Sequence, residues 1–191
     1  MMTPISADKV LADLIESSIE AKAHYQIWWA LAHQARPRLD KQMERFPDFF
    51  IATQRAHFDS MIMHLAHLFD KDHATANIKK YISEAPTIRS VDRLLLKKQL
   101  ALMHPVVKAV LIIRHNVVAH RNAAHAEHQW FKKAGTTPNQ VRALINSAVA
   151  LVETLRRARG CKWGVFDNDR FARDTLGLLK ALERTATTPG G

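Results

Sequence analysis

Along most of the chain, apolar residues recur at intervals of three and four, the spacing of one helix face. No stretch alternates apolar and polar residues as a half-exposed strand does. The clearest stripe is Val141, Leu144, Ile145, Ala148, Val149, Val152 and Leu155. Thr137-Pro138-Asn139-Gln140 before it is a capping box with proline at the first helical position, and Gly160 ends it. Upstream, Val10, Leu14, Ile27, Leu31 and the pair Trp28-Trp29 predict a first helix, capped by Ser6 and stopped near Arg36 by Pro37. After a short segment over 39–46, Pro47 opens a second long helix to about Phe69. A polar loop over 70–76 leads to a short helix over 77–83 with Thr75 as its cap. Pro86-Thr87 breaks the chain, a third long helix covers about 88–103, and Pro105 opens a fourth through Val118. Residues 121–137 read as a loop. Asp167 or Asn168 caps a last helix to about Arg184.

Five or six helices with mostly short connections predict an all-α fold, a helical bundle. The length of 191 residues fits one domain over 1–186, followed by a disordered tail over 187–191. Charge adds a direction: 28 Lys and Arg stand against 18 Asp and Glu, a net +10. That surplus favours an anionic partner, RNA first. The single cysteine, Cys161, excludes an internal disulfide framework and a cysteine-built metal site, and it points to a reducing cytoplasm. Asp8, Lys9, Asp13, Glu16 and Glu20 interrupt the first twenty residues, so no signal-peptide apolar core is expected. No window approaches the roughly 20 apolar residues of a membrane span. The best run, Val106 to Ile113, is interrupted by Lys108 and reads as a buried helix.

That buried run leads into Ile112-Ile113-Arg114-His115-Asn116-Val117-Val118-Ala119-His120-Arg121-Asn122. Polar groups at the end of an apolar helix are costly unless paired. They could cap the helix and pair with acids such as Asp59 or Glu127, or they could carry chemistry. Arg114-His115-x4-His120 resembles the Arg-polar-x(3–5)-His signature of HEPN domains. The layout is also similar to the HEPN branch associated with abortive phage infection. That branch has a long first helix, a helix rich in Arg, His and Leu ending in an Asp-containing loop (here Gln54 to Asp72), and a late motif helix. The resemblance covers roughly residues 10–160. It implies a bundle that dimerises, with two motifs meeting across a two-fold axis. It also implies metal-independent RNA cleavage without a cofactor, with Arg114 and His120 as the catalytic pair and His115 or Asn116 as the polar residue beside them. A toxin-like role in defence or stress would bring a neutralising protein partner.

The residue types suit that chemistry independently. Cutting RNA without a metal uses the ribose 2′-hydroxyl as nucleophile and needs one group to take its proton and another to protonate the leaving 5′-oxygen. Histidine, with an ordinary pKa of about 6.5, suits both roles. Arginine stays charged, and its planar fork holds two phosphate oxygens. Spacing adds a constraint. Six helical residues place Arg114 and His120 about 120° apart and about 9 Å along the axis. Asn116 and His120 share a face instead, while Arg114 lines up with Val118 and Arg121. A two-fold pairing of identical patches would assemble one compact site from two copies.

Further basic pairs and runs are Lys79-Lys80, Lys97-Lys98, Lys132-Lys133 and Arg156-Arg157-Arg159-Lys162. RNA contacts are expected at Arg121, Lys132, Lys133, Arg156, Arg157 and Arg159. Trp130-Phe131, beside the lysine pair, either stacks an unpaired base or packs back on the bundle. No metal is expected; His57, His64 and His67, on neighbouring faces of one helix, would be the ligands if there were one. Two readings stand beside the endoribonuclease: a non-catalytic helical module that binds RNA or protein, and a His-rich metalloprotein.

Overall fold

The computed structural model describes residues 4–70, 76–119, 127–161 and 169–187. These residues form eight α-helices and no strand, an all-α bundle: α1 (Pro4–Trp29), α2 (Asp40–Glu44), α3 (Pro47–Phe69), α4 (Ile78–Glu84), α5 (Ser90–Ala119), α6 (Glu127–Ala134), α7 (Pro138–Ala158) and α8 (Arg170–Thr187). The chain divides into two compact units, one of residues 1–22 and 62–166, the other of residues 23–61 and 167–191. None of the described helices is long and apolar enough to cross a membrane.

In the first unit, α5 packs against α4, α6 and α7. The α7 stripe is buried as the spacing predicts, from Val141 through Leu144, Ile145, Ala148, Val149 and Val152 to Leu155. Burying one such large side chain stabilises the fold by about 1.5–3 kcal/mol. The capping box is formed: the Gln140 backbone N–H donates to Thr137 Oγ1 (3.2 Å) and the Thr137 N–H to Gln140 Oε1 (2.9 Å). Gly160, at φ 80°, closes α7. Its N–H reaches the Arg157 carbonyl and the Cys161 N–H reaches that of Arg156, the paired bonds of a Schellman motif. At α4 the cap is Asn77, whose Oδ1 accepts from the Lys80 backbone N–H (2.8 Å); Thr75 lies outside the described residues.

Ser6 lies inside α1, which begins at Pro4, so it is not the cap of that helix. Two further expectations fail in this unit. The third and fourth helices are one, α5, with Pro105 inside it. An interior proline forfeits a backbone hydrogen bond and costs about 3 kcal/mol. Pro105 is exposed, and so is Ala101, whose carbonyl loses its donor to the proline ring, so water can reach it. Leu96, Val107, Val110 and Ile113 meanwhile bury the opposite side on both halves. The second failure is the loop over 121–137, which contains α6. Trp130 and Phe131 are buried, so this aromatic pair packs back on the bundle.

The second unit holds a small core of Leu31, Ala35, Leu39, Met43, Phe50 and Leu179, against which Ile27, Leu176 and Leu182 pack. The first helix continues past Trp29 as a π-helical turn over Ala30–Gln34. Buried Trp28 lies against Tyr25 and Phe58, with ring centres 5.9 and 5.6 Å away. Buried Gln26 holds the start of α8, accepting from the Phe171 N–H (3.2 Å) and donating to Asp169 (3.4 Å).

Candidate active site

The site is built where the polar triplet Arg114-His115-Asn116 interrupts the apolar end of α5. Arg114 leaves the C-terminal part of α5 and donates from Nη1 to Asp70 Oδ2 at 3.1 Å. Asp70 is the residue just past α3, so two segments 44 positions apart in sequence meet here. These are the motif helix and the Asp-ending helix of the resemblance. The acid met here is Asp70; the side chain of Glu127 lies outside the described residues. Among the described residues, the bond to Asp70 engages one of the five N–H donors of the guanidinium, and the arginine side chain is 38% exposed. Asp70 therefore orients Arg114 while leaving much of its fork open to solvent, the arrangement that suits an arriving phosphate.

Asp70 also lines a cavity of about 750 Å³. Phe69, Leu100, Val107 and Leu111 form its apolar wall, and Lys79, Lys80, His104 and Lys108 are among its polar residues. The α5 residues 100, 104, 107 and 111 follow one helical stripe, and the next residue of that stripe is Arg114. Arg93 fixes α4 beside α5 by donating to the carbonyls of Ser83, Ala85 (3.0 Å) and Ile88 (3.1 Å).

Asn116 points elsewhere. Two residues on from Arg114 is a rotation of about 200°. Its buried side chain donates to the Ile112 carbonyl (2.6 Å) and accepts from Lys133 Nζ of α6 (2.9 Å). The oxygen end thus joins α6 to α5, while the nitrogen end turns back onto α5 itself. His115 is exposed. His120 and Arg121 lie outside the described residues.

Compared with known families, residues 8–172 match AbiU2, a HEPN-type family associated with abortive infection. The chain belongs to the HEPN AbiU2 family. No curated protein and no solved structure matches it.

In this HEPN domain the remaining basic residues divide by surroundings. Lys132 is exposed, while Lys133 is held at Asn116 and lies 5.9 Å from the Trp130 ring centre. Arg156 is buried: it chelates Glu153 (2.6 and 2.8 Å) and donates to the Cys161 carbonyl. Arg157 reaches the same Glu153 at 3.0 Å, and Arg159 grips Asp8 of α1 at 2.6 and 2.9 Å. The Arg156 hydrogen bond, helped by Arg157, holds the Glu153 carboxyl down at about 2, well below the ordinary glutamate range, against the burial that raises it.

Of the histidines weighed as metal ligands, His57 belongs to the second unit and His64 and His67 to the first. His57 Nδ1 lies 2.6 Å from His24 Nδ1, a hydrogen bond that needs a proton on one ring only. Burial lowers the His57 pKa, favouring that neutral arrangement.

Sequence reasoning missed Asp70 as the partner of Arg114, and His104 and Lys108 as cavity residues. A signal was present for the last two. Both are polar positions on the stripe that leads to the motif arginine, where their neighbours Leu100, Val107 and Leu111 are apolar.

Proposed function

We propose that this HEPN domain is a metal-independent endoribonuclease of the abortive-infection kind, acting as a homodimer. What carries the reading is Arg114, oriented by Asp70 and exposed beside a lysine-lined cavity. In this reading the ribose 2′-oxygen attacks phosphorus and gives up its proton as the P–O5′ bond breaks. The leaving 5′-oxygen takes a proton, and the products are a 2′,3′-cyclic phosphate and a 5′-hydroxyl. Arg114 neutralises the charge on the phosphate. His120 transfers the proton, with the second copy of the motif completing the acid–base pair. His115 meets solvent beside Arg114 and takes the positioning role, since the amide of Asn116 is already engaged within the fold.

The test is incubation of the purified protein with structured and unstructured RNA in EDTA, followed by identification of the ends. Cyclic phosphate ends are expected from the parent and none from His120→Ala. Cleavage at the parental rate by that variant, or cleavage that EDTA stops, overturns the mechanism. The Arg114–Asp70 pair also suits a module that binds RNA without cutting it. That reading predicts salt-sensitive binding with RNA ends unchanged.

A further inference from the structure

The cavity of the first unit has a shape and charge that the cleavage step does not use. It lies between α4 and α5, its floor is apolar, and its volume of about 750 Å³ falls within the range of small-molecule sites, roughly 300–1,000 Å³. Its titratable lining residues are Lys79, Lys80, His104 and Lys108 against Asp70 and Glu84. Asp70 is already engaged by Arg114, which leaves the balance cationic. Lys79, His104 and Lys108 are exposed, whereas Phe69 and Val107 are buried, so cations rim an apolar interior. An unpaired nucleotide has matching chemistry: a flat base with π-faces at one end and a phosphate at the other. Asp70 lines the cavity and also holds Arg114, which places the arginine beside it.

We propose that this cavity is a nucleotide subsite, taking one unpaired base of a single-stranded RNA whose neighbouring phosphate lies on Arg114. Val107, Leu100 and Leu111 cover the base, and Lys79 and Lys108 contact the phosphates flanking it. The subsite makes the domain select unpaired RNA over duplex, because a paired base cannot leave its stack to enter without cost. The inference rests on the proposed function for its ligand, and it is read by binding rather than cleavage.

The probe is a short single-stranded oligoribonucleotide containing 4-thiouridine, with its duplex as the comparison; the binding titrations use its 2′-O-methyl form, which has no free 2′-hydroxyl to attack, and the ends are read on the unmethylated form. In EDTA, binding is followed against salt for the parent, for Lys79→Glu/Lys108→Glu and for Leu100→Trp; helicity is checked for each. The double reversal is expected to weaken binding at least tenfold and to flatten the log affinity against log salt slope by about 1.4, two phosphate contacts' worth. Leu100→Trp, which fills the slot, is expected to weaken binding roughly tenfold with the slope unchanged. Photocrosslinks are expected on peptides carrying Lys79 to Glu84 or Leu100 to Leu111. Parental binding by both variants, or crosslinks confined to other peptides, overturns the subsite. Crosslinks in the cavity with RNA ends left intact would uphold the subsite while removing the endoribonuclease. A parent that binds neither strand form removes both.

Discussion

Arg114 and Arg156 are the same residue type on helices of one compact unit, and each faces one carboxylate. Arg156 has a side chain 7% exposed, chelates Glu153 through two nitrogens and reaches back to the Cys161 carbonyl. Its hydrogen-bonding capacity is spent on closing the end of α7. Arg114 is 38% exposed and holds Asp70 through one nitrogen. A charged group fixed at one edge and open at the other can receive a ligand; one enclosed on all sides is part of the fold. Density of basic charge alone points to 156–159, yet of the two arginines Arg114 is the more open.

The sharpest way to break this comparison is to remove each guanidinium in turn. Arg114→Ala is expected to lower RNA cleavage by about 10²–10³-fold, the scale of losing one preorganised charge-stabilising donor. Unfolding free energy should move by no more than about 1 kcal/mol, as for an exposed pair. Arg156→Ala should do the reverse. Leaving Glu153 largely buried without its main partner is expected to cost about 3 kcal/mol in denaturant unfolding. Cleavage per folded molecule should then stay within about threefold of the parent. An Arg156→Ala protein that is stable but inactive would dissolve the distinction.

A pH series sharpens the structural side. The Glu153 carboxyl sits at about 2 in the fold, below its ordinary value of 4.5. A depressed carboxyl contributes stability that is complete above the unfolded value. That contribution is therefore expected to disappear as pH falls from about 4.5 towards 2. Thermal unfolding across this window should show a shallower decline in Glu153→Gln than in the parent. Asp8, lowered by its hydrogen bond from Arg159, adds to the decline with the same sign. An equally steep fall in Glu153→Gln would remove the cluster from acid stability.

The smallest expected effect concerns orientation. Asp70→Asn keeps the shape of the side chain but removes its charge, so Arg114 remains cationic and is less firmly held. RNA cleavage is expected to fall about tenfold while its pH optimum stays in place, because neither group exchanges the proton. A shifted pH optimum would instead put Asp70 in the proton transfer.

What was legible in the chain is what neighbouring residues decide. The capping box at Thr137, the stripe of α7 and its end at Gly160 follow from intervals of three and four and from backbone geometry. The Arg-His motif, together with the helix that ends near Asp70, pointed to the HEPN branch tied to abortive infection, in which the AbiU2 match places the chain. The continuity of α5 was not legible: Pro105 is a local stop, overridden because apolar residues on both sides of it reach the same core. Nor was α6, where Lys132 and Lys133 mask an aromatic pair that faces inward. Ion-pair partners were hidden for a different reason. Asp70 lies 44 positions from Arg114, and Asp8 lies 151 from Arg159, so only the folded chain introduces them.

In the proposed subsite, the stretch of α5 beyond Pro105 would serve as a ruler. Six helical rises separate Lys108 from Arg114, about 9 Å that neither loop motion nor a change of RNA sequence can alter. A strand seated by its base would meet the arginine at one constant offset. Fragment ends would then be counted from the seated nucleotide, giving a register of cuts that the length of a helix, rather than base pairing, sets.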